Sequence, residues 1–190
     1  MAYLLIGLAL WSGAHMLKRL APGLRHDMEK TLGRHLPRAL VAVVTIAGLY
    51  LMIRGYRQMP PTPLYSPLPG AGYVTDLLML PALILMGVGI AGGPLCARIR
   101  HPMLWGLVTW AVAHLLVSGD LADLLLFGGL GLWALLQMRL INQHEGPWER
   151  PRPGDAIRDM KLVLSALFAY LLIAGIHWLY GINVFQGSYP

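Results

Sequence analysis

Six long apolar runs, separated by polar, basic or proline-rich connections, set the pattern of this chain. They cover residues 3–17 (reaching toward 20), 39–56, 77–97, 103–118, 121–138 and 162–180. A helix that crosses a bilayer needs about 20 mostly apolar residues, with a range near 17–25. The runs therefore predict about six transmembrane helices, several of them short enough for Lys and Arg to snorkel at their ends. A cleaved signal peptide is the rival reading of the first run. Its charges, Lys18 and Arg19, follow the apolar stretch, and no small-residue cleavage site comes after it. It is expected to be a permanent span.

The connections are also informative. Residues 58–72 hold Pro60, Pro61, Pro63, Pro67 and Pro69, which predicts a stiff, extended loop. Residues 142–155 are polar, with Pro147, Pro151 and Pro153. Between the first two runs, Leu24, Met28 and Leu32 recur every four positions, so residues 23–34 predict a short amphipathic helix lying on the membrane surface.

Composition agrees with this reading. Of the 190 residues, 56% are hydrophobic and 13% charged, and the mean hydropathy is +0.57. A soluble chain of this kind would expose large adhesive patches, whereas lipid accepts apolar surface on every side. The fold class is all-α, a polytopic transmembrane helical bundle forming a single domain over residues 1–190. The lone Cys96 excludes an internal disulfide, and there is no CxxCH run for covalent haem attachment. The net charge of +6 does not point to nucleic acid, because the basic residues sit in the connections. Thirteen of the 15 Lys and Arg fall in the first, third and fifth connections, and only Arg54 and Arg57 in the second. The positive-inside rule then places both termini outside a bacterial-type inner membrane.

Ionisable groups inside a bilayer are costly and mark candidate sites. His15, His101, His114 and His177 fall in or at the runs, while His26, His35 and His144 lie in connections. A neutral imidazole ligates haem iron, and a helical bundle can hold haem between facing helices. The bland alternative is an imidazole bonded to a neighbouring backbone. Depth sorts the four: His15 and His101 fall near the inner surface, His114 and His177 near the outer one. His15 and His114 would differ in depth by roughly 15–20 Å at 1.5 Å per residue. The 13 residues from His101 to His114 rotate the pair by about 140°. A single outer haem is the simpler arrangement.

Residues 100–133, RHPMLWGLVTWAVAHLLVSGDLADLLLFGGLGLW, closely resemble the core of the NnrU family of membrane proteins. WSGAHMLKRLAPGLR around His15, LVAVVTIAGLYLMIRGYRQMP at 40–60 and IHWLYGINVF around His177 extend the resemblance over most of the chain. It implies a link to bacterial denitrification and the metabolism of nitrite and nitric oxide. Plant zeta-carotene isomerase is a relative that uses b-type haem, and its haem-linked histidines match His15 and His114. That enzyme carries a cysteine, an alternate iron ligand, where this chain has Ala111. The resemblance thus pairs His15 with His114, and depth pairs His114 with His177.

The candidate metal ligands are His114, His15 and His177, and the expected cofactor is haem b. Arg100, His101 and Trp110 are the candidate cofactor-binding residues. The segment Arg100, His101, Pro102 and Gly106 also resembles a motif at the cytoplasm-facing nucleotide site of membrane methyltransferases and sterol reductases; a proline helix start at the membrane surface is the simpler alternative. Asp120 is most simply a helix cap, and Asp123 suits the positive end of the fifth helix. The Gly128, Gly129 and Gly131 cluster reads as helix packing. Three functional readings follow: a haem protein with a redox or isomerase-like role, an accessory or sensory protein, and a cytoplasm-facing cofactor enzyme. The expected partners are the lipid bilayer and a lipid-soluble or small gaseous substrate.

Overall fold

The computed structural model describes residues 1–186. Its helices are α1 (Ala2–Leu20), α2 (Pro22–Leu32), α3 (His35–Arg57), α4 (Ala71–Ala91), α5 (Pro102–Val117), α6 (Leu121–Glu145) and α7 (Ala156–Leu179). Every apolar run is helical, and α2 occupies the place of the predicted surface helix. Four of the helices, α3, α4, α6 and α7, are long and apolar enough to cross a membrane; α5 is equally apolar but has 16 residues. The flanks of the bundle are apolar, with Leu77 75%, Ile90 84% and Phe168 69% exposed. Lipid accepts such surface on every side. This is an all-α bundle of membrane helices.

Hydrogen bonds between connections sort the helix ends into two groups. At one end, an Arg19–Glu145 ion pair of 2.8 Å joins the finish of α1 to that of α6. There too the Leu95 amide donates to Asp159 (2.9 Å), and the Gly154 amide donates to the Gly92 carbonyl (3.1 Å). At the opposite end the proline-rich connection lies along the turn between α5 and α6: the Leu64 amide donates to Gly119 O (2.8 Å) and the Leu121 amide to Thr62 O (2.9 Å). The expected alternation of helix direction holds, so the basic connections gather at one end and Arg54 and Arg57 stand at the other.

Two boundaries differ from the sequence pattern. The third helix runs from Ala71 to Ala91 instead of over 77–97, because Gly92 adopts φ 64° and ends it. Pro94 then opens a separate 3-10 turn, Pro94–Ala97, leaving Pro81 as the proline within α4. At the other boundary, α6 continues to Glu145, which shortens the polar connection at its start, while α7 begins at Ala156, directly after the connection's predicted end. Hydropathy marks where a helix leaves lipid, not where its backbone bonding stops.

Glycines set the closest helix contacts. A Cβ on Gly7 would lie 2.6 Å from Met52 N and 2.7 Å from Gly48 O, so α1 and α3 meet backbone to backbone. A Cβ on Gly106 would lie 2.7 Å from Ala82 O, which seals α5 against α4. Within the glycine cluster singled out from the sequence, Gly128 has only ordinary room, with its nearest neighbour at 3.6 Å. Gly7→Ala is accordingly expected to cost about 1–3 kcal/mol by overpacking, read as a lower unfolding midpoint in detergent, whereas Gly13→Ala, where nothing lies within 4 Å, should hold the midpoint or raise it, alanine being the better helix former. The helix most enclosed by others is α6, with 39% of its most apolar stretch buried against 11–17% for the other three long helices. It carries one side of the site described next.

Candidate functional site

Helices α3 to α7 enclose a cavity of ≈ 530 Å³ near the end of the bundle opposite the basic connections. This lies within the range of about 300–1,000 Å³ found for ligand pockets. His114 reaches it from the last turn of α5 and His177 from the last turn of α7. Each imidazole has the same local tether. His114 Nδ1 donates to the Trp110 carbonyl (2.9 Å), and His177 Nδ1 to the Ile173 carbonyl (2.8 Å). In a neutral ring that bond puts the proton on Nδ1 and leaves the lone pair on Nε2, the form a metal requires.

The tether alone is not a ligand signature. His15 makes it to Trp11 (2.8 Å), and His144, exposed beyond the apolar part of α6, makes it to Leu140 (3.0 Å). It reflects a helical side chain folded back one turn. What sets His114 and His177 apart is that both line one cavity.

A π-helical turn, Leu124–Gly128, interrupts α6 beside this cavity. Such turns often occur at functional sites because they shift the helical register. Here the turn carries Phe127, which stacks on His114 with ring centroids 4.5 Å apart and planes at 26°. Trp110 packs against both rings, 4.8 Å from His114 and 4.9 Å from Phe127. The imidazole of His114 is thus held on its flanks as well as at Nδ1.

Just ahead of the π turn, Asp123 is 4% exposed. One carboxylate oxygen accepts from Tyr56 Oη on α3 (2.5 Å), and the other accepts from Ser118 Oγ. From the proline-rich loop, Tyr65 Oη donates to the Ser118 carbonyl (2.7 Å) and to that of Leu115. Burial, and then the Asp123 carboxylate, push the Tyr65 phenol above its ordinary range, so it remains a donor. Asp123 serves this network more than the helix end. Asp120 holds the N-cap position but makes no side-chain cap bond. The cavity lining includes Asp76 and Asp123 and neither Lys nor Arg.

The other candidates lie elsewhere. His15 packs between Trp11 (4.5 Å) and Trp133 (5.2 Å) and does not line the cavity. Around it, the indole N–H groups of Trp11 and Trp133 and the carbonyl oxygen of Gln137 are buried without a partner. Arg100 and His101 sit at the basic end, where Arg100 donates to Gly146 O (2.6 Å) and His101 Nε2 meets Asn142 Oδ1 (2.8 Å). Both bonds tie the start of α5 to the end of α6. Trp110 belongs to the cavity instead, so Arg100, His101 and Trp110 do not form one site. Tyr56, Thr75, Asp76, Phe127 and Tyr170 line the cavity without having been picked out from the sequence. The available signals were slight: Asp123 and Phe127 are one turn apart, and Asp76 directly precedes the third apolar run.

The donor set allows a test of what the cavity could hold. Among the described residues no three His, Cys, Asp or Glu side chains form a cage for a bare metal ion. Two neutral imidazoles suit a metal whose other ligands come from a macrocycle, as in haem b. No curated protein and no solved structure matches the chain. The profile described as NnrU protein matches residues 3–184, and the chain belongs to the NnrU family.

Proposed function

We propose that this protein is a haem b-binding inner-membrane protein of the NnrU type, in which His114 and His177 would hold the haem, with a redox or isomerase-like role linked to nitrite or nitric oxide metabolism. The observation that carries this reading is the convergence of the two imidazoles, each tethered at Nδ1, on one cavity within the bundle. Bound haem would supply one-electron chemistry. The chain does the rest. Trp110 and Phe127 fix the orientation of His114 and exclude water from its flanks. Tyr56 and Ser118 hold protons at the cavity wall, both directed onto the Asp123 carboxylate. A cavity opening within a membrane bundle suits a lipid-soluble or small gaseous substrate. The basic end faces the cytoplasm in this reading, with both termini periplasmic.

A second arrangement, His15 as the partner of His114, draws on the family resemblance and on the unpartnered polar atoms beside His15. Protein produced with ample haem and purified in detergent is expected to carry about one b-type haem per chain by its reduced spectrum. Colourless protein under those conditions overturns the proposal. Haem without turnover of any lipid-soluble substrate would favour an accessory or sensory role over an enzymatic one.

A further inference from the structure

At the basic end, the start of α5 and the end of α6 leave an open groove of ≈ 620 Å³ between them. One stripe of α6 forms a wall: Leu135, Met138, Arg139 and Asn142 follow each other at i, i+3, i+4 and i+7. His101 and Trp105, one turn apart on α5, form the other.

The groove changes character along its length. Leu135, Met138 and Trp105 make its deep part apolar, and Trp105 is 45% exposed, as suits the membrane interface. Arg139 and Gln143 follow toward the helix end. From Leu135 to Gln143 the helix rises about 12 Å, enough to cross the step of roughly 5–8 Å between hydrocarbon and headgroups.

The outer part offers donors almost without acceptors. Arg139 is exposed and makes no ion pair among the described residues. Arg100 has one nitrogen on Gly146 O, which leaves its other N–H groups available. The carbonyl of Asn142 faces His101, so its amide N–H groups turn elsewhere. No Asp or Glu lines the groove, and Glu145, near it along α6, is paired with Arg19. Cationic donors continuous with an apolar floor match an amphiphile with an anionic head.

We infer that this groove binds one anionic phospholipid, its phosphodiester on Arg100 and Arg139 and an acyl chain along Leu135, Met138 and Trp105. A free phosphate could use the same donors but would gain nothing from the apolar floor. The inference is independent of the haem reading.

Native mass spectrometry of the full-length protein in detergent tests it, with phosphatidylglycerol, phosphatidylcholine and inorganic phosphate each titrated in. One phosphatidylglycerol is expected to bind about tenfold more tightly than phosphatidylcholine, and Arg139→Gln to weaken it roughly fivefold. Arg150→Gln, at the same end but outside the groove, should leave binding unchanged. Equal retention of the two lipids by the unaltered protein overturns the inference without recourse to any variant. So does displacement of the lipid by millimolar phosphate, which would mark a soluble-anion site, or an equal effect of the two Arg variants.

Discussion

Replacing His114 with alanine is expected to abolish the b-type haem spectrum while leaving the bundle folded. His114 is the candidate ligand on which depth, family resemblance and cavity geometry all agree. Its Nδ1 is committed to Trp110 and its face to Phe127, and the ring lines the cavity. Losing a partner that only orients a ligand typically costs roughly 10–100-fold in metal affinity, so losing the ligand should cost at least about 100-fold. Retained haem is read from the absorbance ratio of the Soret band to protein. His144→Ala is the control: it removes an imidazole with the same backbone tether from an exposed position, and haem content should not change.

The second large effect is expected at Asp123, and on stability. Asp123→Ala removes the acceptor for both Tyr56 and Ser118. A fully buried hydroxyl left without a partner costs about 1–3 kcal/mol; Tyr56 and Ser118 are part-buried, so the combined loss should be on the order of 2 kcal/mol. Thermal or denaturant unfolding in detergent measures it. Asp123→Asn keeps an oxygen for Tyr56 and should lose less. Asp120→Ala, only three residues away, removes a side chain that makes no cap bond and should stay within about 0.5 kcal/mol. Equal losses at the two positions would contradict the buried network.

Much of the fold was legible from hydropathy, because in lipid a backbone has few ways to satisfy its own hydrogen bonds. The six apolar runs became helices, and the alternation of basic connections matched the two ends of the bundle. Helix ends were less legible. The end of α4 depends on one left-handed glycine, Gly92, rather than on the apolar content that continues through Pro94. The tight seams were hidden as well, since Gly7, Gly48 and Gly106 are scattered singly among large apolar residues.

The site was legible in part. Depth along alternating helices groups His114 with His177 near one end, and both line one cavity. Depth also grouped His15 with His101, but His15 packs on Trp11 and Trp133, while His101 is tied to Asn142. Depth fixes one coordinate only; the direction in which a helix turns its side chain depends on packing. The Asp123 network could not be foreseen for the same reason. Tyr56 and Asp123 are 67 positions apart, and α3 is brought to α6 only through α1, which packs on both. The π turn has no signature in the run LLLFG, which reads as uninterrupted helix.

In the proposed function the imidazoles of α5 and α7 share one haem. Electron paramagnetic resonance of the oxidised, haem-loaded protein tests it most directly, with His177→Ala and His15→Ala compared side by side. Two axial imidazoles give a low-spin ferric signal. Loss of that signal in His177→Ala, with a high-spin signal replacing it, and its survival in His15→Ala is the predicted result. Survival in His177→Ala with loss in His15→Ala would contradict the pairing and move the haem toward α1.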